Sequence, residues 1–213
     1  MTISKKPNIE SPSSTPSLPD WPRLFRAANV TCAFCHTMSI AKAEGRPRKY
    51  GWEKWEECDI EELARPEHGL VKDQHKLLCP AKFENLMRED QGCRRTIENL
   101  LGVYGLGLDF DGPRAPGLVE LVETLGKFRG LAYTTRSHGK AKGGVTCDRY
   151  RVFLQYSRPV THPENKRIHN LLGMVMRHDA GCGDGTRVFY GGSGEIVRIL
   201  GGQYAVDVEH LLD

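Results

Sequence analysis

Leu106-Gly107-Leu108-Asp109-Phe110-Asp111-Gly112 is the stretch that decides the fold, an apolar run that ends in two aspartates. Successive side chains of a β-strand point to opposite faces, so Asp109 and Asp111 share one face while Leu108 and Phe110 share the other. Two neighbouring carboxylates repel one another unless a cation lies between them. The stretch therefore predicts a divalent-metal site at a strand end, and the alternative is a strand that runs into an ordinary Asp-Gly turn.

The composition predicts a soluble globular protein. The chain has 213 residues, of which 39% are hydrophobic and 27% charged, and no apolar run approaches the roughly 18 residues needed to span a bilayer. The N-terminus lacks the apolar core of a signal peptide. Without an export signal, seven cysteines at irregular spacings are expected to be free thiols, which predicts a cytoplasmic protein with no membrane partner.

Charge is distributed unevenly along the chain. Six acids and one lysine lie between Glu53 and Glu62, whereas nine Lys or Arg residues and two acids lie between Thr134 and His178. A basic segment that follows a carboxylate pair suits a polyanionic substrate held beside a metal ion. The alternative is a solvated basic surface, which charge alone does not exclude.

The predicted elements indicate an α+β fold, with a mainly antiparallel sheet and helices packed on it. From residue 95 their order is β-β-α-β-β-α-β-β, and residues 186–200 are predicted to form a hairpin. We expect a disordered tail over residues 1–20 and a single domain over residues 21–213, divided near residue 93. The predicted strands are 30–40, 95–101, 104–111, 131–136, 149–155, 186–190 and 195–200, and the predicted helices are 50–64, 116–126, 161–176 and 206–212.

A two-metal site needs a third carboxylate besides Asp109 and Asp111. Asp179, just after the second of the clear helices, and Asp184 are the candidates. Each of these two acids could instead cap a helix or shape a turn. Hard carboxylate oxygens favour Mg²⁺ or Mn²⁺ over zinc.

Groups that can bind phosphate follow the carboxylate pair in the sequence. Ser137 and His138 end a predicted strand before a loop rich in Gly and Lys, and both side chains can donate to phosphate oxygens. Arg149 and Arg151 lie on one face of the next predicted strand, where they suit bidentate contact with phosphate or carboxylate. No GxxxxGK[ST] phosphate loop is present, so the sequence does not predict an NTPase motor.

These motifs, in this order, resemble the archaeo-eukaryotic primase superfamily, and most closely the primase-polymerase domains of phages and plasmids. The resemblance extends over about residues 94–200. It is carried by Leu108–Gly112, Tyr133–His138, Arg149–Phe153, Ser157–Val160, and His178-Asp179 followed by Asp184–Gly191.

The resemblance implies an RRM-like sheet beside an N-terminal αβ unit, and a nucleotidyltransferase that depends on Mg²⁺ or Mn²⁺. Asp109, Asp111 and Asp179 would be its metal ligands and catalytic acids. The implied nucleotide-binding residues are Ser137, His138, Arg149, Arg151 and Arg187.

The same resemblance implies partners. A single-stranded DNA template and dNTP or NTP would be bound, and a replicative helicase would act either beyond Asp213 on a longer chain or as a separate protein. The second motif of the family is commonly Ser-x-His, whereas Ser137 and His138 are adjacent here. Either Ser137 has the role of that serine or Arg136 replaces it.

Two other functions are compatible with parts of the pattern. A strand that ends in Asp-x-Asp also opens the nucleophile motif of haloacid-dehalogenase phosphatases, although Pro113 and Arg114 stand where that family has Thr or Ser, and its sheet is parallel. A replication protein that binds nucleic acid without catalysis would retain the fold and the basic segment.

A zinc site is not expected from Cys32, Cys35 and His36. Residues three apart on a strand face opposite sides, and the intervening Ala-Phe pair lacks the turn residues of a chelating knuckle. The further cysteines that could complete such a set are single residues: Cys58, Cys79 and Cys93.

Overall fold

The computed structural model describes residues 21–29, 38–42, 51–52, 55–58, 76–84, 93–94, 96–191 and 197–213. The predicted N-terminal tail and the Cys32–His36 cluster lie outside these residues. Over the described residues the chain forms mainly antiparallel sheets with helices packed against the largest one, which confirms the predicted α+β class. None of the described helices is long and apolar enough to cross a membrane.

The described strands are numbered in chain order. They are β1 (Ala27–Asn29), β2 (Met38–Lys42), β3 (Gly51–Trp52), β4 (Trp55–Cys58), β5 (Lys76–Cys79), β6 (Ala81–Phe83), β7 (Cys93–Arg94), β8 (Leu100–Phe110), β9 (Arg129–Thr134), β10 (Ala141–Lys142), β11 (Val145–Thr146), β12 (Tyr150–Val160), β13 (Phe189–Tyr190), β14 (Val197–Gly201) and β15 (Tyr204–Val206). The described α-helices are α1 (Leu118–Leu125), α2 (His162–Met176) and α3 (Val208–Leu212), and 3-10 turns cover Trp21–Leu24, Ile97–Asn99 and Ala180–Gly183.

Two long strands form the centre of the main sheet. β12 pairs antiparallel with β8 on one side and with β9 on the other, and β6 and β14 extend the sheet beyond them. β15 meets β12 in parallel at its far end and pairs with β1. The antiparallel pairing brings the end of β8, the end of β9 and the start of β12 to one edge of the sheet.

The hydrophobic core lies between one face of this sheet and the helices. Alternate residues of the central strands, such as Leu108 and Val152, are fully buried there with Leu121 of α1 and Leu172 of α2. The helix predicted over 116–126 is present as α1, and its buried residues, Leu118, Leu121 and Leu125, share one side of it.

The opposite face of the main sheet carries the polar residues and is partly covered by a second sheet of order β13-β5-β2-β4. Phe189 of β13 lies edge-on to Phe153, with 4.9 Å between ring centroids. A Cβ atom at Gly107 would lie 2.8 Å from the Phe189 ring, so only glycine permits this approach. The chain passes between the sheets at Pro80, whose carbonyl accepts hydrogen bonds from the backbone of Tyr104 and Gly105.

Three sequence predictions differ from the structure. The helix predicted over 50–64 is wrong, because β4 pairs with β2 there in an antiparallel ladder. The strand predicted over 95–101 is largely a 3-10 turn, and β8 begins at Leu100 as one continuous strand. The predicted hairpin over 186–200 is also wrong, since β13 joins the second sheet while β14 pairs with β9 in the main sheet.

The predicted division near residue 93 stays a prediction. Strands from both sides of that position contribute to both sheets, because β6 pairs with β8 and β13 pairs with β5.

The N-terminus of α2 is held by a charged network. Thr161 and Glu164 form a capping box, in which the Thr161 N–H donates to Glu164 Oε2 at 2.7 Å. Arg158 donates to Glu164 at 2.9 Å and to Glu209 of α3 at 2.6 Å. The Arg158 hydrogen bond, followed by the backbone N–H of Thr161, lowers the pKa of Glu164 from 4.5 to about 2.

Gly107→Ala should destabilise the fold by about 1–3 kcal/mol, because buried Phe189 must shift to admit the new methyl group. Urea unfolding measures the change as a lower midpoint at an unchanged slope. Gly201→Ala is the matched control, since Gly201 is an exposed strand glycine with no atom within 4 Å of its added Cβ. Equal midpoints for the two variants would contradict the packing argument.

Glu164→Gln should remove part of the acid sensitivity of the fold. Folding lowers the pKa of Glu164 from 4.5 to about 2. The ionised side chain therefore adds to the free energy of unfolding in full above pH 4.5, and this addition is lost as the pH falls towards about 2. Gln keeps the cap but loses the ionic contact with Arg158. Thermal unfolding between pH 2 and 6 should therefore show a flatter profile for Glu164→Gln than for the wild type. Glu123→Gln, on the exposed side of α1, serves as the control and should leave the profile unchanged.

Candidate active site

Two ion pairs cross from β8 to β12 at the edge of the sheet. Arg151 lies opposite Asp109 in the ladder, with 3.1 Å between Arg151 Nε and Asp109 Oδ2. Two residues beyond this pair, just outside the two strands, Arg149 Nε lies 2.9 Å from Asp111 Oδ1. Asp109 is buried with 8% of its surface exposed, whereas Asp111 is exposed. Both predicted metal-binding aspartates thus lie on the polar face, each beside an arginine.

Asp179 reaches the same edge from α2. The helix ends at Arg177 in the left-handed conformation (φ 56°), and the chain then turns towards the end of β8. There the backbone N–H of Asp179 donates to the carbonyl of Asp109 at 2.9 Å. The Asp179 carboxylate caps the following 3-10 turn by accepting from Gly181 N–H at 2.9 Å. Burial acts to raise the pKa of Asp179, but the Gly181 hydrogen bond and Arg187 outweigh it and lower this pKa.

Arg187 bridges two of the acids. Its Nη2 atom lies 2.7 Å from Asp179 Oδ2 and 3.6 Å from Asp109 Oδ2. The guanidinium also packs over the Phe189 ring, 5.4 Å from the centroid. Three carboxylates and three arginines therefore alternate at one edge of the sheet, so their formal charges balance.

Asp184 has a different environment from Asp179. Its Oδ1 atom accepts from the backbone N–H and the hydroxyl of Thr186, at 2.9 and 2.8 Å, which is the geometry of an Asx-type turn. His162 Nδ1 lies 4.0 Å from the same oxygen. Of the two candidates for the third acid, the structure brings Asp179 into contact with Asp109 and Arg187, and it uses the Asp184 carboxylate in a turn.

His138 is oriented by the backbone of β12. Its Nδ1 atom accepts from the N–H of Arg149 at 3.2 Å, so the neutral ring carries its proton on Nε2 by this assignment. The Ser137 hydroxyl is 3.2 Å from that of Thr135. The predicted Ser-His pair therefore lies at the end of β9, next to the start of β12 and its arginines.

Arg149 is buried to 2% exposure inside the loop that carries His138. Its two terminal nitrogens donate to the carbonyls of Ser137, Lys140 and Val145, at 2.8, 2.6 and 3.2 Å. The sequence predicted a direct phosphate contact for this residue. The structure instead commits its guanidinium to the loop and to Asp111, because a planar group with five donors can satisfy several carbonyls at once.

Arg151 belongs to a network that sequence reasoning missed. Arg151 and the Tyr133 hydroxyl both donate to the carbonyl of Tyr190, the Tyr133 bond being 2.9 Å long. Burial raises the pKa of Tyr133 to about 12, so the hydroxyl stays protonated and remains a donor. Tyr133 and Tyr190 lie within two of the motifs that carry the family resemblance, but no spacing in the sequence linked one to the other.

A pair of buried histidines, His169 and His178, lies next to Asp179. His169 Nδ1 of α2 lies 2.9 Å from His178 Nε2, and the His178 ring packs edge-on to Phe110. Burial lowers the pKa of His169 to about 3 and that of His178 to about 4, so both rings are neutral near pH 7. The sequence showed His178 only as the neighbour of Asp179, and His169 carried no signal.

Asp109 and Asp179, but not Asp111, are placed to share one cation. Among the described residues, no group of three His, Cys, Asp or Glu side chains is arranged to hold an ion. Asp109 and Asp179 nevertheless converge on one positively charged group, the Arg187 guanidinium, and they offer the hard oxygens that Mg²⁺ and Mn²⁺ prefer. Two of the three predicted ligands therefore fit a shared cation, while Asp111 pairs with Arg149.

The chain is similar in structure to two solved polymerase domains. One is the AEP domain of the cyanophage S-2L primase-polymerase, with a TM-score of 0.47, 13% identity, and coverage of 86% of this chain and 90% of that one. The other is the polymerase domain of Mycobacterium tuberculosis ligase D in complex with DNA, with a TM-score of 0.36, 12% identity, and coverage of 82% and 69%. The first belongs to the superfamily that the sequence motifs resemble. No protein-family model and no curated protein matches the sequence.

Arg149→Lys should release the loop over residues 136–148, because one ammonium group cannot reach three carbonyls and Asp111 together. Hydrogen exchange should be faster in this loop and unchanged in α2. The ring nitrogens of His138, followed by NMR, should lose their fixed Nε2–H tautomer, a signature that loss of stability alone would not produce. Arg167→Lys on the exposed side of α2 is the control. A protected loop and an unchanged His138 spectrum in Arg149→Lys would contradict this role.

Proposed function

We propose that the chain is the catalytic domain of a DNA primase or DNA polymerase in phage or plasmid replication. The reaction would be divalent-metal-dependent nucleotidyl transfer on a single-stranded DNA template. One observation carries the proposal: Asp109, Asp111 and Asp179 lie at one edge of the sheet together with His138, Arg149 and Arg151. The archaeo-eukaryotic primase superfamily, which the sequence motifs resemble, uses groups of these kinds for nucleotidyl transfer.

In this proposal the three aspartates hold Mg²⁺ or Mn²⁺. When bound, the metal would lower the pKa of the attacking 3′-hydroxyl and stabilise negative charge on the transferred phosphoryl group. Asp109 is the most buried of the three acids, and the β8–β12 ladder fixes its backbone. The backbone N–H of Asp179 donates to the carbonyl of Asp109, which holds the main chains of the two acids together.

The triphosphate would be bound by the donors around the acids. The Nε2–H of His138, the hydroxyl of Ser137 and the guanidinium groups of Arg151 and Arg187 are the available donors. Arg149 would act indirectly, as a positioning residue that presents His138 and orients Asp111. This division of roles follows from burial, since Arg149 is enclosed while Arg187 is partly exposed.

The hairpin formed by β10 and β11 would bind the template. Gly143 and Gly144, with φ of 61° and 81°, form a two-residue turn of the kind that closes tight hairpins. The turn and both residues of β11 are exposed, and the hairpin begins beside exposed Lys140, whose carbonyl accepts from Arg149. A positively charged, projecting ribbon is suited to the phosphates of single-stranded DNA or of the nucleotide.

The competing functions make different predictions. A haloacid-dehalogenase phosphatase requires a parallel sheet, whereas both neighbours of β8 are antiparallel to it. A protein that only binds nucleic acid would retain DNA affinity without incorporating nucleotides. Incubation with labelled dNTP or NTP, a single-stranded template, and Mg²⁺ or Mn²⁺, with and without a primer, separates these functions, and binding without extension would sink the proposal.

Asp179→Asn should lower dNTP incorporation by at least about 100-fold, because it removes a charged ligand at the reacting phosphate. Asp109→Asn should have the same effect. Asp184→Asn is the matched control, since asparagine can keep the turn with Thr186, and it should retain most of the activity. Loss of activity in Asp184→Asn with retention in Asp179→Asn would reverse the assignment of the third acid.

His138→Ala should raise the KM for dNTP by about tenfold, the value of one hydrogen bond to a charged phosphate. The effect should be smaller on kcat, because the aspartates are unchanged. Steady-state extension at varied dNTP measures both constants. An unchanged KM would remove His138 from the nucleotide site.

A further inference from the structure

The Arg187 guanidinium lies where two carboxylates of the candidate site converge. Its Nη2 atom contacts Asp179 at 2.7 Å and lies 3.6 Å from Asp109. The hydrogen bond from Asp179 N–H to the Asp109 carbonyl joins the two acids through their backbones, independently of Arg187. One side-chain cation therefore neutralises a pair of acids that would otherwise repel one another.

Arg187 is attached differently from the other two arginines. Arg149 donates to three main-chain carbonyls and Arg151 donates to the Tyr190 carbonyl. The polar contacts of the Arg187 side chain with the described residues are with carboxylates. Its guanidinium also packs over the face of the Phe189 ring. Arg187 can therefore leave the acids without breaking a hydrogen bond from its side chain to the main chain.

We propose that Arg187 is an exchangeable counter-ion of the site. In the free protein it occupies the cation position between Asp109 and Asp179. On substrate binding it exchanges these carboxylates for a phosphate of the incoming nucleotide, while a divalent cation takes its former position. This inference rests on the proposed function for the identity of the polyanion, and on the ion-pair geometry for the exchange itself.

Exchange of this kind couples two binding events. A divalent cation that binds alone must displace the guanidinium and leave it partly buried without a carboxylate, which weakens binding of the metal. A polyanion that attracts Arg187 removes the competition between the guanidinium and the metal for the two carboxylates. Nucleotide and metal therefore raise each other's binding affinity by the same factor. Removal of the guanidinium should therefore tighten metal binding and weaken nucleotide binding, although both ligands belong to one site.

The test is Mn²⁺ binding to the full chain without nucleotide, followed by the EPR signal of free Mn²⁺. Arg187→Ala and Arg187→Gln should each bind Mn²⁺ about tenfold more tightly than the wild type, the equivalent of one charged hydrogen bond. Asp179→Asn in the Arg187→Ala background should abolish the gain. Arg167→Ala, on the exposed side of α2, should bind as the wild type does.

A second measurement follows the polyanion. In EDTA, titration calorimetry with dATP should show weaker binding to Arg187→Gln than to the wild type. If Arg187→Ala does not fold, as judged by thermal unfolding, the Arg187→Gln variant decides the question because it keeps most of the side chain. Mn²⁺ affinity that is unchanged or lower in the folded Arg187 variants, or no Mn²⁺ binding by any variant, overturns the exchange.

Extension assays keep this inference separate from the proposed activity. Tighter Mn²⁺ binding by Arg187→Gln, with no nucleotide incorporation by the wild type, would support the exchangeable counter-ion and reject the polymerase. Incorporation by the wild type without any gain in Mn²⁺ affinity would support the polymerase and reject the exchange.

Discussion

The pairing of opposite charges across β8 and β12 is the constraint on which the candidate site depends. Antiparallel register sets Arg151 opposite Asp109 and leaves Arg149 beside Asp111. A slip of β12 by one residue would turn Arg149 and Arg151 to the apolar face, where the helices pack, and would leave Asp109 and Asp111 without them, so the core and the site fix the same register. The same ladder positions the loop that carries His138, because the backbone N–H of Arg149 donates to His138 and its side chain donates to the Ser137 carbonyl.

Balanced charge explains how so many ionic groups fit at a partly buried edge. Burial of isolated carboxylates is costly, and each acid here has a guanidinium within ion-pair distance. The arginines differ in their other contacts, since Arg149 and Arg151 also donate to main-chain carbonyls whereas Arg187 pairs with carboxylates. The sequence could not distinguish these contacts. Buried Arg149 holds the loop of residues 136–148 by hydrogen bonds to three of its carbonyls, whereas Arg187 forms ion pairs with Asp109 and Asp179.

Local patterns predicted the parts of the fold that local physics decides. Three features each required only neighbouring residues: the alternation that ends at Asp111, the helix α1 and the start of α2 near Thr161. The failures arose where distant partners decide. Residues 55–58 became a strand because β2 pairs with them, and β13 and β14 joined different sheets. In the same way, no spacing in the sequence predicted that the backbone of Asp179 is hydrogen-bonded to Asp109.

The crossing at Pro80 has a consequence for engineering the chain. A single residue carries the polypeptide from the second sheet into the main one, and its carbonyl is tied to the backbone of β8. An insertion there has no slack to absorb it and would displace β6 along β8, so this position is unsuitable for cutting, permuting or tagging the protein. The exposed tip at Gly143–Gly144 offers the opposite case, since a loop added there lengthens a ribbon whose end is attached to nothing else among the described residues.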